Sequence, residues 1–104
     1  MNTIHANTAG NIMNRRLEIF LTIADKNSHQ DAADALHMSQ PNISYHLCKL
    51  EEELGVKLME RERFNEGGKI TEAGKIVAVH AARIINELNS MKACLRAMTL
   101  GVAA

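Results

Sequence analysis

Between residues 39 and 49 the chain reads Ser-Gln-Pro-Asn-Ile-Ser-Tyr-His-Leu-Cys-Lys, in which amides, hydroxyls, a proline and a phenol are interleaved with aliphatic side chains. A glutamine amide can pair bidentately with adenine, and a proline or tyrosine ring can touch a thymine methyl. Gln40, Pro41, Ser44 and Tyr45, with Asn42 beside them, are therefore candidates for contact with base edges. Hydroxyls and cations suit phosphate oxygens, which makes Ser28, Ser39, Lys49, Arg61, Arg63 and Lys69 the candidate phosphate contacts. No glycine-rich phosphate loop, nucleophile elbow or metal-ligand cluster occurs in the sequence. An enzyme is accordingly not expected, nor a cofactor, nor a metal site.

Two helices must position these residues. Ser28 has the hydroxyl of an N-cap, and Asp31 three residues on can act as a weak capping-box partner, so a short helix is expected from about His29 to Leu36. His37-Met38 forms the turn. Ser39 caps a second helix that tolerates Pro41 in its first turn, and Gly55 can take the left-handed conformation that ends it. At 100° per residue Ile43, Leu47, Leu50 and Leu54 share one stripe, with Pro41, Tyr45 and Cys48 turned away from it. Ala32, Ala33 and Leu36 form the inward face of the shorter helix, and the paired alanines permit close backbone approach. The sum is a helix-turn-helix whose second helix protrudes, as entry into a major groove requires. Before it, Asn14 is expected to cap a helix running to about Lys26, with Asn27 left-handed at its end. Leu17, Phe20, Leu21 and Ala24 lie on one side of that helix and Ile19 and Ile23 on the other, so it should be buried between two layers.

The run Leu17-x-x-Phe20, Ser28, Ala32-Ala33-x-x-Leu36-x-x-Ser39-Gln40-Pro41-x-x-Ser44-x-x-Leu47-x-x-Leu50-Glu51-x-x-Leu54-Gly55, then Leu58, Arg61 and Thr71-x-Ala73-Gly74, resembles the N-terminal DNA-binding domain of the LysR-type transcriptional regulators. The match covers roughly residues 14–98. The resemblance implies a mainly α chain: a winged helix-turn-helix of three helices and a β-hairpin wing, followed by a long dimerising linker helix. It also implies antiparallel pairing of two linker helices and an interrupted dyad as the DNA site. A two-lobed ligand-sensing domain normally follows in the family. None is expected in this chain, and with it no small-molecule inducer site. Three positions depart from the pattern: His29 and Met59 stand where Phe is usual, and Tyr45 where Arg is frequent. The stretch from Arg61 to Thr71 is also about two residues longer than in the family.

The remaining segments fit this organisation. Residues 1–13 are small, polar and aperiodic, and are expected to form a flexible arm. Residues 14–71 make the winged helix-turn-helix, with alternating stretches around Gly67-Gly68 as a two-stranded wing. The wing's Arg61, Arg63 and Lys69 face either phosphate or their own neighbours Glu60, Glu62 and Glu66. In the helix expected over residues 72–99, Val77, Ala81, Ile84, Leu88, Met91, Leu95 and Met98 recur in four-three alternation as a seam for a second copy. The alternative is a helix folded back on its own domain, although the first helix can cover only a few turns of a rod roughly 40 Å long. Residues 100–104 are expected to fray. His29 by phase points inward, either as a pH-sensitive group or as a neutral histidine that packs less well than Phe.

Composition limits the function classes further. With no Trp, one Tyr and two Phe, no platform for stacking single-stranded bases is present. Cys48 and Cys94 are expected to be reduced thiols, and no leader or membrane span is evident, so a cytoplasmic, nucleoid-associated protein is expected. Formal net charge is zero, and residues 1–66 carry seven Lys/Arg against ten Asp/Glu. Phosphate neutralisation supplies most non-specific affinity for DNA, so this balance leaves two functions in view. One is a sequence-specific double-stranded DNA-binding homodimer that regulates transcription. The other is an interaction module that heterodimerises with a longer relative and silences it.

Overall fold

The computed structural model describes residues 3–60 and 68–101, with side chains from Ile12 onward. Its elements run α1 (Thr3–Lys26), α2 (His29–Leu36), α3 (Gln40–Leu54), β1 (Met59–Glu60), β2 (Lys69–Ile70) and α4 (Glu72–Thr99). Among the described residues no helix is long and apolar enough to cross a membrane.

Local chemistry sets most of the boundaries. The Ser28 hydroxyl accepts from the Asp31 N–H at 3.1 Å and the Ser39 hydroxyl from the Asn42 N–H at 3.2 Å, so both caps satisfy a first-turn donor. Asn27 and His37 are left-handed, with φ of 55° and 56°, and end α1 and α2. Gly55, at φ 76°, ends α3 by donating its N–H to the Glu51 carbonyl at 2.8 Å. The start of α1 differs from expectation. Asn14 lies inside the helix and residues 3–13, expected as a separate arm, continue it to Thr3. Nothing in that stretch forbids helix, since it contains no proline, and adding turns to a formed helix gains one hydrogen bond per residue fixed.

α1 packs against α2, α3 and α4, which is why it is apolar on both sides. Leu17, Phe20, Ile19 and Ile23 are all buried, together with Ala32 and Ala33 of α2, Ile43, Leu47 and Leu50 of α3, Leu58, Met59 and Ala81 of α4. Each fully buried Ile, Leu or Phe contributes about 1.5–3 kcal/mol over an exposed one. Leu54, expected to close the α3 stripe, is 39% exposed because it lies beyond the last core layer. Cys48, expected on the outer face, is half-buried.

The sheet is a short antiparallel pair in which Met59 faces Ile70 and Glu60 faces Lys69. Its base is fastened on both sides. From α3 the buried Glu51 carboxylate Oε2 accepts the Leu58 N–H at 2.8 Å and the Met59 N–H at 3.3 Å. From α4 the Thr71 N–H reaches the Leu58 carbonyl at 2.9 Å, and the Thr71 hydroxyl donates to the Lys57 carbonyl at 2.6 Å while accepting from the Gly74 N–H at 2.9 Å. Gly74 is buried against this junction, where a Cβ would collide with the Leu58 carbonyl and the Ile70 side chain.

α4 divides its apolar residues between two surroundings. Ala81 is 1% exposed and Val77 is packed on the core, so these two of the seven expected seam residues are covered by their own domain. The first helix was expected to cover a few turns of this rod, and α1 occupies the beginning of the stripe. Beyond them Ile84, Met91, Leu95 and Met98 are 46–74% exposed, and Leu88 is half-covered.

The junction makes a direct prediction. Glu51→Ala should lower stability by about 2–3 kcal/mol, because two buried N–H donors lose a charged acceptor together. Thermal unfolding followed by circular dichroism measures this, and a change below 0.5 kcal/mol, roughly the size of an ordinary surface substitution, would remove Glu51 from the structural role.

Candidate nucleic-acid interface

The first turns of α3 present their polar side chains outward because the opposite face is held by Ile43, Leu47 and Leu50 in the core. Pro41, Asn42 and Tyr45 are exposed, and Gln40 and Ser44 flank them half-buried. The five candidate base-contact residues thus lie on one free turn and a half of a helix whose N-terminus is capped. Tyr45 is the largest group there, 53% exposed. The Lys49 ammonium lies 5.7 Å from the centre of its ring and 3.5 Å from Glu52 Oε1.

Of the candidate phosphate contacts, Ser28 and Ser39 are engaged as caps through their oxygens, which leaves each O–H free in direction to donate outward. Lys69 is exposed on β2. Arg61 and Arg63 lie outside the described residues. The three consecutive acids at the end of α3 have separate fates. Glu51 is buried at the sheet base with Lys57 Nζ 3.7 Å from its other oxygen, Glu52 meets Lys49, and Glu53 is 3.9 Å from an Arg16 nitrogen.

Sequence reasoning did not find the link between α1 and α3. Arg16 Nε donates to His46 Nδ1 at 3.3 Å, from a side chain only 16% exposed. The His46 ring in turn meets Tyr45 edge-on, centroids 5.4 Å apart at 71°. Thirty positions separate Arg16 from His46, so no local pattern could have paired them. Burial lowers the His46 pKa from its ordinary value, and the charges of Arg16 and then Arg15 lower it further.

A family model described as bacterial regulatory helix-turn-helix protein, lysR family, matches residues 14–75. This chain belongs to the LysR family. Its relatives include the uncharacterized HTH-type transcriptional regulator YvbU of Bacillus subtilis strain 168, 35% identical over 77 residues, which are 74% of this chain and 26% of that protein. The DNA-binding transcriptional dual regulator OxyR of Escherichia coli strain K12 is 36% identical over 78 residues, 75% of this chain and 25% of OxyR. The chain thus spans about a quarter of the length of the curated relatives it matches. Among solved structures, the BenM DNA-binding domain in complex with catB site 1 DNA superposes with a TM-score of 0.78 at 30% identity, covering 85% of this chain and 92% of that one. The DNA complex of the CbnR DNA-binding domain gives 0.77 at 34% identity, covering 83% and 97%. The winged helix-turn-helix followed by a long helix is therefore the LysR arrangement.

The His46 environment sets a sign for stability against pH. Its lowered folded pKa means that the unfolded chain takes up the proton first, so the contribution is complete above the unfolded value of about 6.5 and is lost as pH falls through the folded value. Melting temperature should decline on acidification through this window, and the decline should be smaller in His46→Gln. Identical pH profiles for the two proteins would contradict the assignment.

Proposed function

We propose that this chain is a sequence-specific double-stranded DNA-binding regulator of transcription that acts as a homodimer on an interrupted dyad. The observation that carries the reading is the division of α3 into a buried aliphatic face and an outer face bearing Gln40, Pro41, Asn42, Ser44 and Tyr45. An α-helix so mounted fits a major groove, where amide, hydroxyl and ring groups meet base edges. The likeness to BenM and CbnR domains whose structures are complexes with DNA supports the same use of the fold here.

In this reading Ser28 and Ser39, with the N-termini of α2 and α3, Lys49, Lys69, Arg61 and Arg63, hold phosphates and set the register. The exposed Lys49–Glu52 pair is no obstacle, since such pairs are worth about 0–1 kcal/mol and yield readily to a phosphate. Ile84, Leu88, Met91, Leu95 and Met98 supply the face for a second copy, with Val77 and Ala81 at its border. Antiparallel pairing of two such helices sets the reading heads apart and calls for two half-sites more than a helical turn from each other. The site of action is the cytoplasm, on nucleoid DNA.

Selection of bound duplexes from random sequence, followed by footprinting, tests the reading. Gln40→Ala and Tyr45→Ala should each cost about 1–3 kcal/mol on the selected site and leave non-specific binding nearly unchanged. Wild-type discrimination in both mutants would mean that α3 does not read the bases. Separately, Leu88→Arg would put an unpaired charge into the seam. It should give monomers by light scattering at micromolar concentration, and a persistent dimer would take α4 out of the interface.

A further inference from the structure

One polar contact ties the base-facing turn of α3 to the core helix behind it, and it works in only one protonation state. Arg16 reaches α3 at two points, the His46 ring through Nε at 3.3 Å and the Glu53 carboxylate, two turns further on, at 3.9 Å. His46 passes this restraint to its neighbour, since its ring stands edge-on to Tyr45, and Lys49 holds the same tyrosine at 5.7 Å. The most exposed large side chain of the reading face is thus set between a histidine fixed from α1 and a lysine on its own helix.

We propose that His46 is a positioning residue for Tyr45 that makes the sequence discrimination of this domain depend on pH. The proposal rests on the reading of α3 as the base-reading helix. Nδ1 can accept from Arg16 only while it carries no proton; once protonated, it is a donor facing a donor. The charged groups around it do not compensate. Arg15 and Arg16 on α1 are both cations acting on His46, Lys49 on α3 is a third across the tyrosine, and the acid at hand, Glu53, already serves Arg16. Protonation therefore releases the ring from Arg16 and with it the orientation of Tyr45. The new charge simultaneously strengthens attraction to phosphate, which is indifferent to sequence. The consequence is selective: on the acid side of neutrality the preference for the right site falls, whereas binding to arbitrary DNA holds or rises.

The experiment compares the full chain with His46→Gln, whose amide oxygen can accept from Arg16 at any pH in this range. Affinities for the selected duplex and for a scrambled duplex of equal length are measured at pH 7.5 and pH 5.5 at one ionic strength. Circular dichroism at both pH values confirms that each protein is folded. The wild-type ratio of the two affinities should fall by roughly three- to tenfold at the lower pH, the size of one weakened base contact. In His46→Gln the ratio should stay within about twofold. A wild-type ratio that does not change, or that falls equally in the glutamine variant, overturns the proposal and leaves the reading of α3 intact. Absence of any preference for the selected duplex at pH 7.5 overturns that reading, and the proposal with it.

Discussion

The Glu51 carboxylate is the interaction on which the geometry of this domain depends. It leaves α3 from its inner side, is buried, and accepts from the backbone N–H groups of Leu58 and Met59, where the strand β1 begins. Thr71 and Gly74 grip the same strand from the other side, so the end of α3, the base of the sheet and the start of α4 share one three-residue segment, Lys57 to Met59. A charged acceptor in a low-dielectric setting is a strong restraint and a costly one to break. It converts three separate elements into a frame in which the outer face of α3 has a definite direction. It also explains the Leu-Glu pair of the sequence motif as chemistry: Leu50 fills the core and the next residue anchors the wing.

The same frame bears on the neutral net charge. Of the three consecutive acids, Glu51 is withdrawn into the fold, and Glu52 and Glu53 lie beside Lys49 and Arg16 at the flank and far end of α3. The first turns of that helix, where bases would be met, carry no acid at all. Affinity would then come from cap donors and a few cations rather than from a broad basic surface, which makes binding more dependent on correct base contacts and less on bulk phosphate attraction.

Much of this was legible in the sequence because it is local. Ser28, Ser39, Asn27, Gly55 and Thr71 announce helix ends through chemistry confined to neighbouring residues, and the aliphatic stripe of α3 follows from a 3.6-residue period. The two-sided burial of α1 was likewise written in Ile19 and Ile23 opposite Leu17 and Phe20. What escaped was either non-local or lacked a stop signal. Asn14 looks like a cap, yet nothing upstream prevents the helix from continuing to Thr3. That α1 covers a few turns of α4 was expected from length, but the heptad pattern alone does not mark Val77 and Ala81 as the residues covered. The Arg16–His46 contact and the Glu51 junction join residues that are distant in sequence or pair a side chain with backbone, and neither leaves a periodic trace. The candidate base-contact residues follow from residue types on a capped helix, and the fold leaves Pro41, Asn42 and Tyr45 exposed there with Gln40 and Ser44 half-buried.

The most direct test of the central claim, that a frame fixed at Glu51 presents the outer face of α3 to DNA, is amide NMR of the isotopically labelled chain titrated with a duplex recovered by selection. The largest shift changes should fall between residues 39 and 49 and at the start of α2, with the amides of Leu58 and Met59 little moved because their hydrogen bonds stay closed. Changes centred instead on residues 84–98, with the first turns of α3 silent, would contradict the account.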